Sequence, residues 1–160
     1  MPWTPHLSAD NTIDAPPKAM PRLDTLTLTE LVLPEQSNHY GTLFGPNGLA
    51  LMGKAAYLVA TRFTRQAVVM AAANHIHFMR PVPVGAVIKI DAQIVRVGGR
   101  SLTARVIASL DAAPGTRCEE VFRGEFEMVT VDERGRPAPI TALATNTEQE
   151  AELAIAAARG

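Results

Sequence analysis

The sequence predicts an α+β fold in which one curved antiparallel sheet surrounds a single buried helix. Three observations predict it: an early segment of helix length is almost entirely apolar, three later segments alternate between apolar and polar residues, and short turns join those three segments. A sheet and a helix that share one apolar interface form a two-layer domain. The 160 residues of the chain suffice for one such domain.

The ends of the chain differ from its middle. Residues 1–24 contain five prolines and no periodic apolar pattern, which predicts an extended tail. Residues 25–140 hold the periodic segments and are expected to form the domain. Thr147 and Glu150 have the spacing of a capping box before an alanine-rich stretch, so residues 141–160 are predicted to form a C-terminal helix.

The domain is expected to begin with a strand and a helix. Residues 23–33 alternate between apolar and polar and are rich in Thr, Leu and Val, which is typical of a strand. After a polar loop, residues 48–65 have apolar side chains on almost every side, which predicts a helix buried nearly all round. Asn47 is placed to cap the start of this helix with its side-chain oxygen.

Strands are predicted for most of the remaining domain, at residues 68–79, 87–97, 101–110 and 117–131. Gly-Gly and Pro-Gly turns join the last three, so we expect them to form an antiparallel meander. Long strands leave an unpaired sheet edge, and an unpaired edge favours association with a second copy. The sequence therefore predicts a homodimer at least.

Composition and charge exclude several classes of partner. Lys and Arg number 15 against 16 Asp and Glu, so the chain lacks the basic excess of proteins that bind nucleic acid or anionic lipid. No apolar run reaches the ~18 residues of a membrane span, and the first residues show no signal-peptide pattern. The single cysteine, Cys118, fits a reducing compartment. We expect a cytoplasmic protein with neither a nucleic-acid nor a membrane partner.

The segment from Asn38 to Gly48 is the best candidate for a functional site. It is rich in turn residues and leads directly into the apolar helix, so it delivers free backbone N–H groups at a helix N-terminus. Such a terminus suits an anion or an oxygen that develops negative charge during a reaction. A plain connection between loop and helix is the alternative.

The same segment carries a resemblance to a known family. The residues PE at 34–35, NHYGTLFG at 38–45, Met52 and AA at 55–56 resemble the acyl-CoA thioesterases of the hotdog fold. The closest resemblance is to the bacterial YciA-like hydrolases and the cytosolic acyl-CoA hydrolases of animals.

Two later segments strengthen the resemblance. Residues 76–85, IHFMRPVPVG, resemble the family strand I-x-F-x-x-P-V-x-x-G, and residues 99–101, GRS, resemble its G-R-[ST]-S turn. The resemblance extends over about residues 24–137. It implies a hotdog fold, in which the sheet wraps the helix and two protomers join their sheets edge to edge. It also implies active sites shared by both chains of a dimer, further assembly of dimers into hexamers, and no cofactor beyond the coenzyme A of the substrate.

The implied reaction is hydrolysis of the thioester of acyl-CoA. In the family, a backbone N–H at the helix start polarises the carbonyl oxygen, which assigns this role to Gly45. An asparagine at the position of Asn38 orients the water. A carboxylate after the helix methionine serves as base or nucleophile. This chain carries Gly53 at that position, and no Asp or Glu occurs between Glu35 and Asp91.

Substrate and coenzyme A contacts follow from the same resemblance. Guanidinium groups bind phosphate in a bidentate way, which suits Arg80 and Arg100 to the phosphates of coenzyme A. An exposed charge before a proline turn is the alternative for Arg80, and a helix cap is the alternative for Asn47. The full set assigned to substrate or coenzyme A comprises Phe44, Asn47, His77, Arg80, Gly99, Arg100 and Ser101.

Several alternatives remain open. A histidine, namely His39, His75 or His77, is a competent base at neutral pH, and Glu35 or Asp91 from a partner chain is a further candidate. His75 and His77 lack the additional ligands of a metal site, so no metal is expected. A hotdog protein that binds acyl-CoA without turnover is the alternative function. A hotdog hydratase would require an Asp near a His in the loop, and that Asp is absent.

Overall fold

The computed structural model describes residues 22–141, in which five antiparallel strands wrap around one helix. In chain order the elements are β1 (Thr25–Leu31), a turn of 3₁₀ helix (Pro34–Gln36), α1 (Gly45–Thr64), β2 (Val68–Phe78), β3 (Val87–Val97), β4 (Ser101–Leu110) and β5 (Glu119–Thr130). The predicted α+β class is confirmed. The predicted C-terminal helix and residues 1–21 of the predicted tail lie outside the described residues.

The sheet has the strand order β1-β3-β4-β5-β2, and all neighbouring strands are antiparallel. The meander expected for the last three strands is therefore confirmed. β2 pairs with β5, so that Phe78 lies opposite Phe122. β1 and β2 form the two edges of the sheet within the described chain.

Alternation along the strands builds the core between the sheet and α1. We call the face of the sheet toward α1 the inner face and the other the outer face. Phe122, Phe126 and Met128 of β5 are buried on the inner face, as the alternating pattern predicts. The helix contributes mostly small side chains, which let it approach the sheet closely. These buried helix residues include Met52, Ala55, Ala56, Val59 and Ala60.

The prediction that α1 is buried nearly all round is wrong for a single protomer. Leu49, Tyr57 and Leu58 are exposed, because the sheet covers only one side of the helix. These three apolar side chains of α1 are therefore only partly covered by the described chain.

The predicted cap at Asn47 is also wrong. The helix begins at Gly45, and Phe44 is the N-cap without a side-chain hydrogen bond. Pro46 lies in the first turn, where its fixed φ suits a helix and its missing N–H is not needed. Asn47 instead donates from Nδ2 to the carbonyl oxygen of Gln36 at 3.0 Å, which ties the 3₁₀ turn to the helix.

No helix within residues 22–141 combines the length and the hydropathy required to cross a membrane.

Candidate active site

The loop before α1 is held in shape by the side chain of Asn38. Its Oδ1 accepts hydrogen bonds from the N–H of Tyr40 at 3.0 Å, the N–H of Thr42 at 3.2 Å and the hydroxyl of Thr42 at 3.1 Å. The backbone N–H of Asn38 donates to the carbonyl of Thr42 at 2.8 Å. The amide oxygen of Asn38 is thus fully used, whereas its Nδ2 has no acceptor within residues 22–141. The three hydrogen bonds to Oδ1 hold the amide in place and leave Nδ2 free to donate.

The start of α1 leaves the N–H of Gly45 without an acceptor in the described part of the chain. The carbonyl of Phe44 accepts the N–H of Asn47 at 2.9 Å and that of Gly48 at 3.1 Å, and Pro46 has no N–H. The first turn of α1 carries no acidic side chain that would accept a hydrogen bond from the Gly45 N–H. The helix dipole adds partial positive charge at this end. The Gly45 N–H therefore suits an oxygen that carries or develops negative charge.

A largely apolar groove of about 370 Å³ adjoins Gly45. The rings of Phe78 and Phe122 lie side by side in it, with centroids 5.8 Å apart. A Cβ added to Gly48 would lie 3.1 Å from Phe78 Cε1, so glycine allows the first turn to rest on this ring. The other residues that line the groove are Leu43, Met79, Arg80, Pro81 and Val82. Arg80 forms an ion pair with Glu119 at the rim.

The position of Gly53 is buried and filled by a neighbouring side chain. A Cβ built at Gly53 would lie 2.8 Å from Cε of Met70, which comes from edge strand β2. Lys54, the next helix residue, pairs with Glu30. No carboxylate is thus presented here, and a methyl group occupies the space beside the backbone.

The sheet separates the predicted histidines and acids. His75 and His77 line a cavity with Arg105 on the outer face, so within one protomer they do not join Gly45. Asp91 also faces outward, where its carboxylate accepts the Thr27 hydroxyl at 2.6 Å.

His39 is different, because it neighbours Asn38 in the loop and stacks on Tyr40 with a centroid distance of 3.9 Å. Glu35 lies exposed in the 3₁₀ turn just before this loop. Of the predicted histidines and acids, these two are therefore the ones that lie in the segment leading to the helix start.

The turn formed by Gly99 and Arg100 lies at the other end of the molecule from Gly45. Ser101 pairs with Val129, and Val129 pairs with Val69 at the beginning of β2. Gly45 lies near Phe78 at the end of β2, nine residues later. At about 3.3 Å per strand residue, about 30 Å separates the two regions. One protomer therefore does not bring Arg100 to the groove.

Phe44, predicted to contact substrate, is half-exposed at the helix start. Asn47 is engaged with Gln36, as described above. Within residues 22–141 no group of three or more His, Cys, Asp or Glu side chains is arranged to hold a metal ion.

Comparison with known proteins identifies the family. The model of the thioesterase superfamily matches residues 40–111. An uncharacterized acyl-CoA thioester hydrolase of Zymomonas mobilis is 31% identical over 110 residues, which cover 69% of this chain and 74% of the relative. The chain belongs to the acyl-CoA thioester hydrolases of the thioesterase superfamily.

Solved structures of this family agree. An apo-hexameric acyl-CoA thioesterase is 29% identical with a TM-score of 0.69, and the match covers 85% of this chain and 87% of that one. An aspartate-to-alanine mutant of a hexameric, broad-specificity acyl-coenzyme A thioesterase is 27% identical with a TM-score of 0.69, covering 80% and 94%. The predicted hotdog fold and the predicted acyl-CoA thioesterase function are confirmed. The non-catalytic alternative gains no support from these relatives.

Sequence reasoning missed the residue that lies against the candidate position Gly53. Met70 looks like an ordinary apolar strand residue, and nothing in its local pattern indicates that its methyl group lies against Gly53. The glycine inside the helix was the available signal, because glycine there is unfavourable by about 1 kcal/mol relative to alanine and so suggests a close neighbour.

Proposed function

We propose that this hydrolase cleaves acyl-CoA at a site that two copies of the chain build together. The oxygen of a water molecule forms a bond to the thioester carbonyl carbon. The carbon–sulfur bond then breaks, and coenzyme A leaves as the thiol while the acyl group becomes a carboxylate. The observation that carries the proposal is the Gly45 N–H, which lacks an acceptor in the described chain and borders an apolar groove.

Two donors are available for the carbonyl oxygen as it gains negative charge. The first is the Gly45 N–H, supported by the helix dipole. The second is Nδ2 of Asn38, which the three hydrogen bonds to Oδ1 hold in a fixed orientation. The family resemblance implies that Asn38 orients the water. The occupied Oδ1 favours a role as donor, toward either the thioester oxygen or the water.

The proton of the attacking water requires an acceptor, and Gly53 supplies none. His39 and Glu35 lie in the segment that leads to α1, whereas His75, His77 and Asp91 face the opposite side of the sheet. We therefore assign the base role to His39 or Glu35. An imidazole accepts a proton readily at neutral pH, which favours His39.

Association of two copies through β2 would complete this site. β2 is an unpaired edge of 11 residues, and its side chains Val69, Met70 and Phe78 are about half exposed. Such an edge is a template for pairing with another strand. The opposite edge, β1, is shorter, and Arg62 of the helix donates hydrogen bonds to the carbonyls near it. β2 is therefore the edge that is ready for a partner.

Antiparallel pairing of two β2 edges would bring Arg100 to the groove of the other copy. The beginning of the partner's β2 would then lie beside Phe78. The path from Phe78 to the partner's β4, which starts at Ser101, crosses three strand spacings: from β2 to the partner's β2, then to its β5, then to its β4. Three spacings of about 4.8 Å give about 15 Å, half the separation within one protomer. Coenzyme A would thus place its thioester at Gly45 of one copy and its phosphates at the Gly99–Ser101 turn of the other.

The oligomeric state, the cofactor and the cellular location of the enzyme are part of the same proposal. Solved relatives are hexameric, so we propose a homodimer that assembles as a trimer of dimers. Coenzyme A enters as part of the substrate, with no separate cofactor. A cytoplasmic location remains our prediction, and fractionation of cells that express the chain tests it.

Hydrolysis of a panel of acyl-CoAs, followed by release of free thiol, tests the proposed function. Asn38→Asp retains the Oδ1 acceptor that shapes the loop but replaces the Nδ2 donor, so we expect kcat to fall about 10²–10³-fold. Gln93→Ala, on the outer side of β3, is the matched control and should retain wild-type activity. Binding of acyl-CoA without turnover by the wild-type chain would instead favour the non-catalytic protein.

A further inference from the structure

β2 contains a bulge that places two histidines on the outer face. Asn74 lies opposite Glu125 and His77 lies opposite Arg123, so β2 has one more residue than β5 in this interval. Ile76 packs over Gly124, where an added Cβ would lie 2.4 Å from Ile76 Cδ1. Bulges redirect side chains and often occur next to functional sites.

The backbone of His75 is strained at this bulge. Its φ is +53°, in the left-handed region that favours glycine. Arg65 is the other such residue among those that the structure describes, and it is the C-cap of α1, where this conformation is common. His75 lies in the bulge, where glycine is the residue that usually adopts this conformation. Strained residues of this kind cluster at functional sites.

A cavity of about 430 Å³ lies over the bulge on the outer face. Its polar walls are basic: His75 and His77 from β2, Arg123 from β5 and Arg105 from β4, with Glu125 as the one acid. A volume of this size is in the range of small-molecule sites, which begin at about 300 Å³.

The hydrogen-bond donors of this cavity are only partly used. Arg105 donates two hydrogen bonds to Glu125, at 3.2 and 3.0 Å, so this pair is neutral. Arg123 forms an ion pair with Glu120 at 3.4 Å that does not include a hydrogen bond. The imidazoles of His75 and His77 have no hydrogen-bond partner within residues 22–141. One guanidinium and two imidazoles thus present free donors to the same space.

We propose that this cavity is a second ligand site, separate from the thioesterase groove, that binds a small anion with linked phosphate groups. Arg123 would hold one phosphate in a bidentate way. His75 and His77 would donate to the neighbouring phosphate. An anion between His77 and Arg123 also removes the unfavourable pairing of two cations directly across the strands when the histidine is protonated.

Titration calorimetry with inorganic pyrophosphate tests this site. We expect the wild-type chain to bind pyrophosphate, with Kd raised at least tenfold in Arg123→Gln and in His77→Gln. Arg96→Gln is the matched control, because Arg96 lies on the outer face but outside the cavity, and its Kd should equal the wild-type value. Titration with ADP distinguishes a nucleotide from the free ion as the source of the phosphates.

Three results would overturn the proposal. The first is absence of pyrophosphate and ADP binding at millimolar concentrations, and the second is equal binding by wild type and Arg123→Gln. The third is binding that Arg100→Ala abolishes and Arg123→Gln retains, which would place the anion at the coenzyme A site. Acyl-CoA hydrolysis by Arg123→Gln should be unchanged, so a failure of the thioesterase proposal is recognised separately. Far-UV circular dichroism confirms folding of each variant.

Discussion

Restoring a carboxylate at residue 53 requires space that Met70 now fills. Gly53→Asp adds a Cβ that would lie 2.8 Å from Met70 Cε, closer than side chains approach one another. Met70 is a flexible side chain, and forcing it off its rotamer costs about 0.5–1.5 kcal/mol. The larger cost is burial of a carboxylate, because Lys54 already pairs with Glu30 and is not free to compensate it.

These costs predict that substitutions of Gly53 and Met70 do not have additive effects on the free energy of unfolding. Gly53→Asp alone should destabilise the protein by about 2–4 kcal/mol, since an unpaired buried charge adds to the steric term. Met70→Ala removes the methyl and the sulfur and opens room for the carboxylate with water. The double variant Gly53→Asp/Met70→Ala should therefore be more stable than the sum of the single changes predicts, by about 1 kcal/mol.

The same comparison measures the catalytic consequence. A positioned base contributes about 10²–10⁴-fold, so the double variant should exceed Gly53→Asp alone at least tenfold in kcat/KM with acyl-CoA. Thiol release measures activity, and urea denaturation at fixed protein concentration measures stability. Gly53→Asn/Met70→Ala is the isosteric control without a base. Equal activity of the Asn and Asp double variants, or additive stabilities, would refute the reasoning.

Three further predictions concern the core, the base and the sheet edge. Phe126 is fully buried, so Phe126→Ala should lower the free energy of unfolding by about 3–5 kcal/mol in urea, and a loss below about 1 kcal/mol would contradict the core assignment. His39→Gln should lower kcat/KM about 10²-fold or more while Glu35→Gln has little effect; the reverse order would assign the base to Glu35. Val69→Lys on β2 should give monomers in analytical ultracentrifugation, whereas Leu31→Lys on β1 should not, and dimers with both would rule out the β2 edge.

Local patterns were sufficient to predict most of the fold. The strands at 87–97 and 101–110 have the predicted bounds, because alternating side chains and Gly-Gly turns are determined by neighbouring residues. The helix starts earlier than predicted, because Gly45-Pro46 resembles a turn although proline is favourable in a first helical turn. Pairing of β2 with β5 could not be predicted, since it joins segments far apart in sequence.

Less of the candidate site than of the fold could be predicted from the sequence. The segment from Asn38 to Gly48 is predictable as a site because a turn-rich segment before an apolar helix leaves free N–H groups, and the family resemblance singles out Asn38 and Gly45 within it. The contact of Met70 with Gly53 depends on the packing of a strand against a helix. The position of His75 on the outer face depends on a register shift between β2 and β5. Neither has a signature in the sequence nearby.

The shared site is tested most directly by mixing two inactive variants. Asn38→Asp damages the helix end of the groove, and Arg100→Ala damages the turn that we place in the partner's contribution. Each variant alone should have low activity at substrate concentrations below KM. After equal mixing with exchange of subunits, half of the dimers carry both chains, and one of their two sites is intact. We therefore predict recovery of about one quarter of wild-type activity, because subunits pair at random in symmetric dimers. No recovery, with exchange confirmed by mass spectrometry, would show that Asn38 and Arg100 serve a site in the same chain and would contradict the account.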